Sequence, residues 1–121
     1  MEALIEKKSK FYAYKFKVAS KKEVDAILLH IKTEHKKASH VCFAYKISKP
    51  EYLEKCDDDG EPSGTAGRPI LNVLQKKELD FTLLVVVRYF GGIKLGAGGL
   101  VRAYSAAASK AAGAEYDEIR M

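Results

Sequence analysis

Three short stretches hold the residues able to do chemistry. Asp57, Asp58, Asp59 and Glu61 crowd into one segment, followed by the hydroxyls of Ser63 and Thr65 and then Arg68. Carboxylates at this density either hold a hard cation such as Mg²⁺ through oxygen or are neutralised by arginines. The candidate metal ligands are Asp58, Asp59 and Glu61, with Mg²⁺ as the candidate cofactor. The candidate neutralising partners are Arg68, Arg88 and Arg102. The spacing is not that of an EF-hand, because Gly60 is the fourth residue of the loop and no glutamate closes it. The second stretch is Gly91-Gly92-Ile93-Lys94-Leu95-Gly96-Ala97-Gly98-Gly99. The third pairs His40 with Cys42. On a strand they share one face about 6–7 Å apart, beyond a hydrogen bond unless the side chains lean together. No third group orients the histidine, so a structural or ligand-contacting His40 is favoured over a thiol nucleophile.

Eight of the nine glycines lie in the two loops, Asp57–Gly67 and Gly91–Gly99. Such concentration implies positive φ angles or close backbone approach. The second loop follows an apolar strand and opens a helix. The free N–H groups and the dipole of that helix start therefore point into the loop, beside Lys94 and Arg102. The chemistry this suits is anion binding, with Gly96, Gly98 and Gly99 as backbone donors. The spacing matches neither a Walker A loop nor a dinucleotide fingerprint, and a tight crossover against a closely packed helix is the alternative. Acids in the first loop and cations in the second imply that the two loops meet on one side of the fold.

The elements that position these loops are legible from periodicity. Ser9–Ala19 alternates, as a half-buried strand does. Ser20 and Glu23 form a capping box ahead of a helix whose Val24, Ile27, Leu28 and Ile31 share one face. Ser39–Ser48 is a second alternating strand, and a short strand is expected near Tyr52–Lys55. Pro69 suits the first turn of a helix that ends near Lys76 and Lys77. Phe81–Phe90 is almost continuously apolar, so it reads as a central strand covered on both faces. The alanines from Ala103 to Ala112 make a closely packed helix that stops at Gly113. The tail, Ala114–Met121, is mostly polar and is expected to add an edge strand or hang free. The order predicts one α+β domain over 1–121, a two-layer sandwich of a mixed sheet packed by helices.

Composition narrows the function. At 121 residues with 47% hydrophobic content the chain is one folded domain. Its longest apolar run is far too short to span a bilayer, and the start lacks a signal-peptide core. Two cysteines in no metal-like spacing suit a reducing compartment, so a cytoplasmic setting is expected. The net charge is +5, with twelve lysines against five acids in residues 1–50 and eight acids against four basic residues in 51–80. A lysine-rich first half suits a nucleic-acid-facing surface or an ordinary solvated one.

The strings DDGEPSGTAGRP and VVRYFGGIKLGAGGLVRAY, with His40-Val41-Cys42-Phe43-Ala44-Tyr45, resemble the IMPACT/YigZ family over roughly residues 9–113. The resemblance implies a fold similar to domain IV of elongation factor G and to the second domain of a small-subunit ribosomal protein. It also implies kinship with a superfamily of small-molecule kinases. Relatives carry a second domain, a C-terminal α+β domain in bacteria or an N-terminal RWD domain in eukaryotes. This chain resembles the shared domain standing alone or cut from such a protein. The implied role is control of translation, in which eukaryotic relatives oppose activation of the amino-acid-starvation kinase by engaging its ribosome-bound activator. The motif positions carried over are His40, Asp58, Asp59, Glu61, Ser63, Thr65, Arg68, Arg88, Lys94 and Arg102.

Three functional readings follow. The first is a non-enzymatic module that binds RNA or a ribosome-associated protein through the glycine-rich loop face. The second is a Mg²⁺-dependent enzyme acting on a phosphorylated small molecule, which needs metal, phosphate loop and basic clamp together. The third is an interaction protein whose glycine loops serve packing alone.

Overall fold

The computed structural model describes residues 2–119. Eight elements follow one another: β1 (Leu4–Glu6), β2 (Ser9–Lys17), α1 (Lys21–Glu34), β3 (His40–Ile47), β4 (Leu53–Asp57), α2 (Gly67–Lys76), β5 (Thr82–Tyr89) and α3 (Gly96–Ala112). The strands form one sheet in the order β1-β2-β5-β3-β4. The apolar run indeed occupies the centre as β5, and its residues Thr82 to Arg88 are all buried. The fold is α+β, as the sequence predicts. Two details differ, however: the sheet is not mixed, since every pairing is antiparallel, and the fold is not two-layered, since α2 and α3 cover one face of the sheet and α1 the other. β2 and β3 do run parallel to each other, as the crossover through α1 dictates. β5 inserts between them and pairs antiparallel with both, so no parallel ladder forms.

Side-chain alternation along β5 divides the core. Leu84 and Val86 join Phe11, Cys42 and Ala44 beneath α2 and α3. Leu83, Val85 and Val87 join Phe16, Phe43 and Tyr45 beneath Val24, Leu28 and Ile31 of α1. The α2–α3 layer lies close to the sheet because its buried positions are small, including Ala103, Ala107, Ala108 and Ala111. The α1 face is padded with aromatics. Ser20 caps α1 by accepting the Glu23 N–H at 3.2 Å, and Glu23 accepts the Ala19 N–H at 3.2 Å, as the capping-box pattern requires.

Two elements escape the sequence pattern. β1 has only three residues and joins β2 through Lys7 and Lys8, both at positive φ (45° and 68°). Such a turn is ordinarily made by Asn-Gly, so it carries no recognisable signal. The tail from Ala114 forms no strand within the described residues. It nevertheless docks on β2, with the Asp117 N–H donating to the Lys15 carbonyl at 2.7 Å and the Lys15 N–H to the Asp117 carboxylate at 2.9 Å. The Lys15 ammonium is buried and donates to the Ala112 carbonyl at 3.2 Å, at the negative end of α3. Arg120 and Met121 lie outside the described residues.

The glycines of the second loop differ in what they do. A Cβ on Gly91 would stand 2.1 Å from the Lys8 carbonyl oxygen, against backbone that cannot move aside. A Cβ on Gly98, within α3, would meet only the mobile guanidinium of Arg102, at 3.2 Å. Gly91→Ala is therefore expected to destabilise by about 1–3 kcal/mol, whereas Gly98→Ala should gain about 0.5–1 kcal/mol of helix stability. Urea denaturation of the two variants checks both signs.

Candidate functional site

The first loop is built around its carboxylates. α2 starts at Ala66 without a side-chain cap of its own. Asp58 supplies one from upstream, accepting the N–H groups of Gly67 (2.8 Å), Ala66 (3.1 Å) and Gly64 (2.9 Å). Burial acts to raise its pKa, but these three backbone donors outweigh it and hold the carboxyl below the ordinary value. Asp59, at φ 42°, serves β3. β4 pairs with β3 only from Phe43 onward, which leaves the Val41 N–H without a strand partner on that side, and the Asp59 carboxylate accepts it at 2.7 Å. Thr65 Oγ1 donates to the Pro62 carbonyl at 2.6 Å and tightens the turn.

Glu61 turns inward. Its side chain is 3% exposed and that of Arg88 is 6% exposed. Arg88 Nη1 donates to both Glu61 oxygens, at 2.9 and 2.8 Å. Tyr104 Oη donates to Oε2 at 2.5 Å, and burial pushes the phenol well above its ordinary pKa. The other Arg88 nitrogens reach Ser9 Oγ at 3.3 and 3.4 Å, and that hydroxyl also accepts the Gly91 N–H at 3.3 Å. One buried ion pair thus ties the first glycine loop, β5, α3 and the entry to the second glycine loop together.

His40 lies at the mouth of this network. Its Nδ1 donates to the Asp59 carbonyl at 2.8 Å, an acceptor only, so Nε2 is the nitrogen left facing Glu61 Oε1, 3.4 Å away. Above them opens a cleft of about 390 Å³ where the two loops meet, lined by His40, Glu61, Arg88, Lys94 and Gly96 with Phe90 and Leu95 as apolar wall. α3 begins at this cleft with no capping side chain, so its first N–H groups are available to an incoming acceptor. The expected meeting of the loops is found.

Other expectations are not met. Asp58, Asp59 and Glu61 do not converge on a metal position, and no three ligating side chains do so among the described residues. The physical reason is that each carboxylate is already taken up by backbone N–H groups or by Arg88. Of the three arginines proposed to neutralise the acids, only Arg88 does so. Arg68 is exposed. Arg102 is also exposed and lines a separate depression with Glu6, Lys7 and Gly99. Ser63 is exposed, and Gly98 and Gly99 do not line the cleft. Cys42 is fully buried, donates to the Asp58 carbonyl at 3.1 Å, and burial raises its thiol pKa strongly, which leaves no thiolate for nucleophilic work. Sequence reasoning missed Ser9, Phe90 and Tyr104. Tyr104 alone left a signal, since a tyrosine inside a buried alanine helix needs a partner for its hydroxyl.

The geometry coincides with a known family. The Impact N-terminal domain matches residues 7–112. The chain belongs to the IMPACT family. It is 50% identical over 109 residues to the IMPACT family member YvyE of Bacillus subtilis (strain 168), covering 90% of this chain and 50% of that protein. It is similar to the crystal structure of a hypothetical protein, with a TM-score of 0.82 and 36% identity over 91% of this chain and 55% of the other. It is also similar to the structure of Yih1, a two-domain translational regulator, with a TM-score of 0.61 and 26% identity over 86% of this chain and 46% of that one. The chain spans about half the length of YvyE.

Glu61 and Asp58 of this IMPACT domain each give a prediction. Arg88→Met strands the Glu61 charge and should cost about 3–5 kcal/mol, while Arg88→Met combined with Glu61→Leu should recover much of that loss. Chemical denaturation of the three proteins tests the pair. Because the folded pKa of Asp58 is depressed, its contribution is present above the unfolded carboxylate pKa and is lost as pH falls through the folded value. Asp58→Ala should therefore lose about 0.5–2 kcal/mol at neutral pH, the value of a cap, and this deficit should shrink towards acid in pH-resolved denaturant melts.

Proposed function

We propose that this domain is a cytoplasmic binding module of translation control that engages an anionic group on RNA or on a ribosome-associated protein. The observation that carries the reading is the uncapped start of α3 opening, beside Lys94 and His40, onto a cleft whose buried Glu61 is already matched by Arg88. Free backbone donors and a surface lysine over a neutralised floor favour an incoming anion. Kinship to Yih1, a translational regulator, supports the setting. Among the described residues no helix is long and apolar enough to cross a membrane.

A macromolecular anion suits the cleft better than a phosphorylated metabolite for one physical reason. The carboxylates that a Mg²⁺-dependent reaction would draw on hold the backbone of the first loop and the Arg88 guanidinium. Releasing any of them loosens the fold that forms the cleft.

Co-sedimentation with ribosomes at rising salt tests the proposal. Wild-type protein should sediment with ribosomes and be released as salt screens the contact. Lys94→Glu should weaken the association about tenfold, or about 1.4 kcal/mol, while leaving the melting temperature unchanged. No association even at low salt, together with a thermal shift produced by Mg²⁺ and a nucleotide, would instead establish the small-molecule reading.

A further inference from the structure

On the sheet face that carries α1, the helix ends at Glu34 and leaves the ends of β2 and β5 uncovered. A groove of about 580 Å³ lies there, lined by Lys8, Lys10, Tyr12, His35, Tyr89 and Phe90. We propose that this groove binds single-stranded RNA, with bases stacked on its aromatic side chains and phosphates held by its lysines. The choice of RNA as the polyanion rests on the translation reading above; of its lining residues the groove shares only Phe90 with the cleft.

The rings are fixed before any ligand arrives. Tyr12 and Tyr89 pack edge to face with centroids 5.8 Å apart. His35 bridges two hydroxyls, with Nε2 bonded to Tyr14 at 2.7 Å and Nδ1 to Tyr89 at 2.5 Å. Burial lowers the His35 pKa, so the neutral ring takes one hydroxyl as donor and the other as acceptor. A stacking platform locked in this way loses little entropy when a base settles on it. Phe90 is 50% exposed, although it follows a strand, β5, that is buried from Thr82 to Arg88. The Arg88 guanidinium lies 5.4 Å from the Phe90 ring centroid, and Phe90 belongs to neither core cluster, so core packing does not call for a phenylalanine there.

The groove's own lining carries charge of one sign, and the nearest acids, Glu34 beside His35 and Tyr14 and Asp117 beside Tyr14, lie outside it. No acidic residue lines the groove, and among the described residues neither Lys8 nor Lys10 is in an ion pair. Lys36 and Lys37 follow His35 directly in the chain. Lys8 adopts φ 68°, a conformation that glycine or asparagine occupies more cheaply, so its placement is explained by its charge better than by the turn. Aromatic faces interleaved with unpaired lysines are what a flexible polyanion with exposed bases requires; a duplex keeps its base faces covered. Phe90 also lines the cleft at α3, so a strand leaving the groove runs towards Lys94.

The test is fluorescence anisotropy of a labelled 12-nucleotide single-stranded RNA with the 121-residue chain. Intrinsic fluorescence is read in parallel, because the chain has seven tyrosines and no tryptophan. The expected result is binding that weakens as salt rises, quenching of tyrosine emission, and weaker binding of the same sequence as a duplex. Phe90→Ser, at an exposed position, should fold normally and bind about tenfold or more weakly. Lys8→Glu combined with Lys10→Glu should weaken binding and flatten its salt dependence. Tyr12→Leu should abolish much of the quenching, and its melting curve verifies that it is folded. Lys94→Glu separates this proposal from the cleft. Ribosome association lost with oligonucleotide binding and quenching retained supports the groove, and it does so equally if the cleft reading fails. No binding at about 50 mM salt, or binding and quenching unchanged in Phe90→Ser and in the double lysine variant, overturns the proposal and leaves the groove to a protein partner.

Discussion

The buried pair of Glu61 and Arg88 is the constraint on which the rest of the site depends. Two full charges with side chains 3% and 6% exposed persist only when every polar atom around them is matched. Here Tyr104 supplies a donor to the carboxylate and Ser9 an acceptor to the guanidinium. Those four residues come from the first glycine loop, β5, α3 and β2. The pair therefore fixes the distance between the acidic loop and the start of α3, and with it the width of the cleft. It also explains why so acidic a loop survives beside the core. Its charges are used one at a time, by a helix start, by a strand end and by an arginine.

Close backbone approach is the second constraint. Gly67 lies so near the Asp57 backbone that a Cβ would stand 2.8 Å from its nitrogen, and Gly91 is still closer to Lys8. With alanines in α3 and the small Cys42 and Ala44 on β3, these contacts draw α2 and α3 down onto the sheet. The opposite face has no such economy of size. Aromatic residues of β2 and β3 hold α1 off the sheet, and where α1 ends the aromatics continue into solvent. The tyrosine groove is thus a consequence of the same division of small and large residues that makes the cleft side compact.

Much of this was legible in the sequence. The central strand, the three helices, the capping box at Ser20 and the meeting of the two loops all follow from periodicity, capping chemistry and complementary charge. The functional roles within the loop were harder, because composition does not say which partner a carboxylate will choose. Asp58 reads as a metal ligand from its neighbours, yet three backbone N–H groups claim it. Arg102 reads as a loop partner because a cation at a helix start asks for an anion, yet it points to a different depression. The choice depends on strand register. β4 ends its pairing at Asp57, opposite Phe43, and that one termination leaves Val41 to Asp59 and turns Glu61 inward. β1 was illegible for a simpler reason, since the turn that builds it is Lys7-Lys8.

The two surfaces are joined by the direction of β5. Arg88 points to the α3 side and closes the ion pair, while Tyr89 points to the α1 side and holds His35. The strand ends there, and Phe90 sits at the turn between the faces, half exposed, its N–H accepted by Ser39 Oγ at 2.9 Å. Three consecutive residues of one strand end thus contribute to the buried floor of the cleft, to the groove and to the ridge between them. A change in how β5 ends would move both surfaces together. That coupling gives the chain a physical reason to keep the end of β5 rigid through Ser9 and Ser39, whether a partner touches one surface or both.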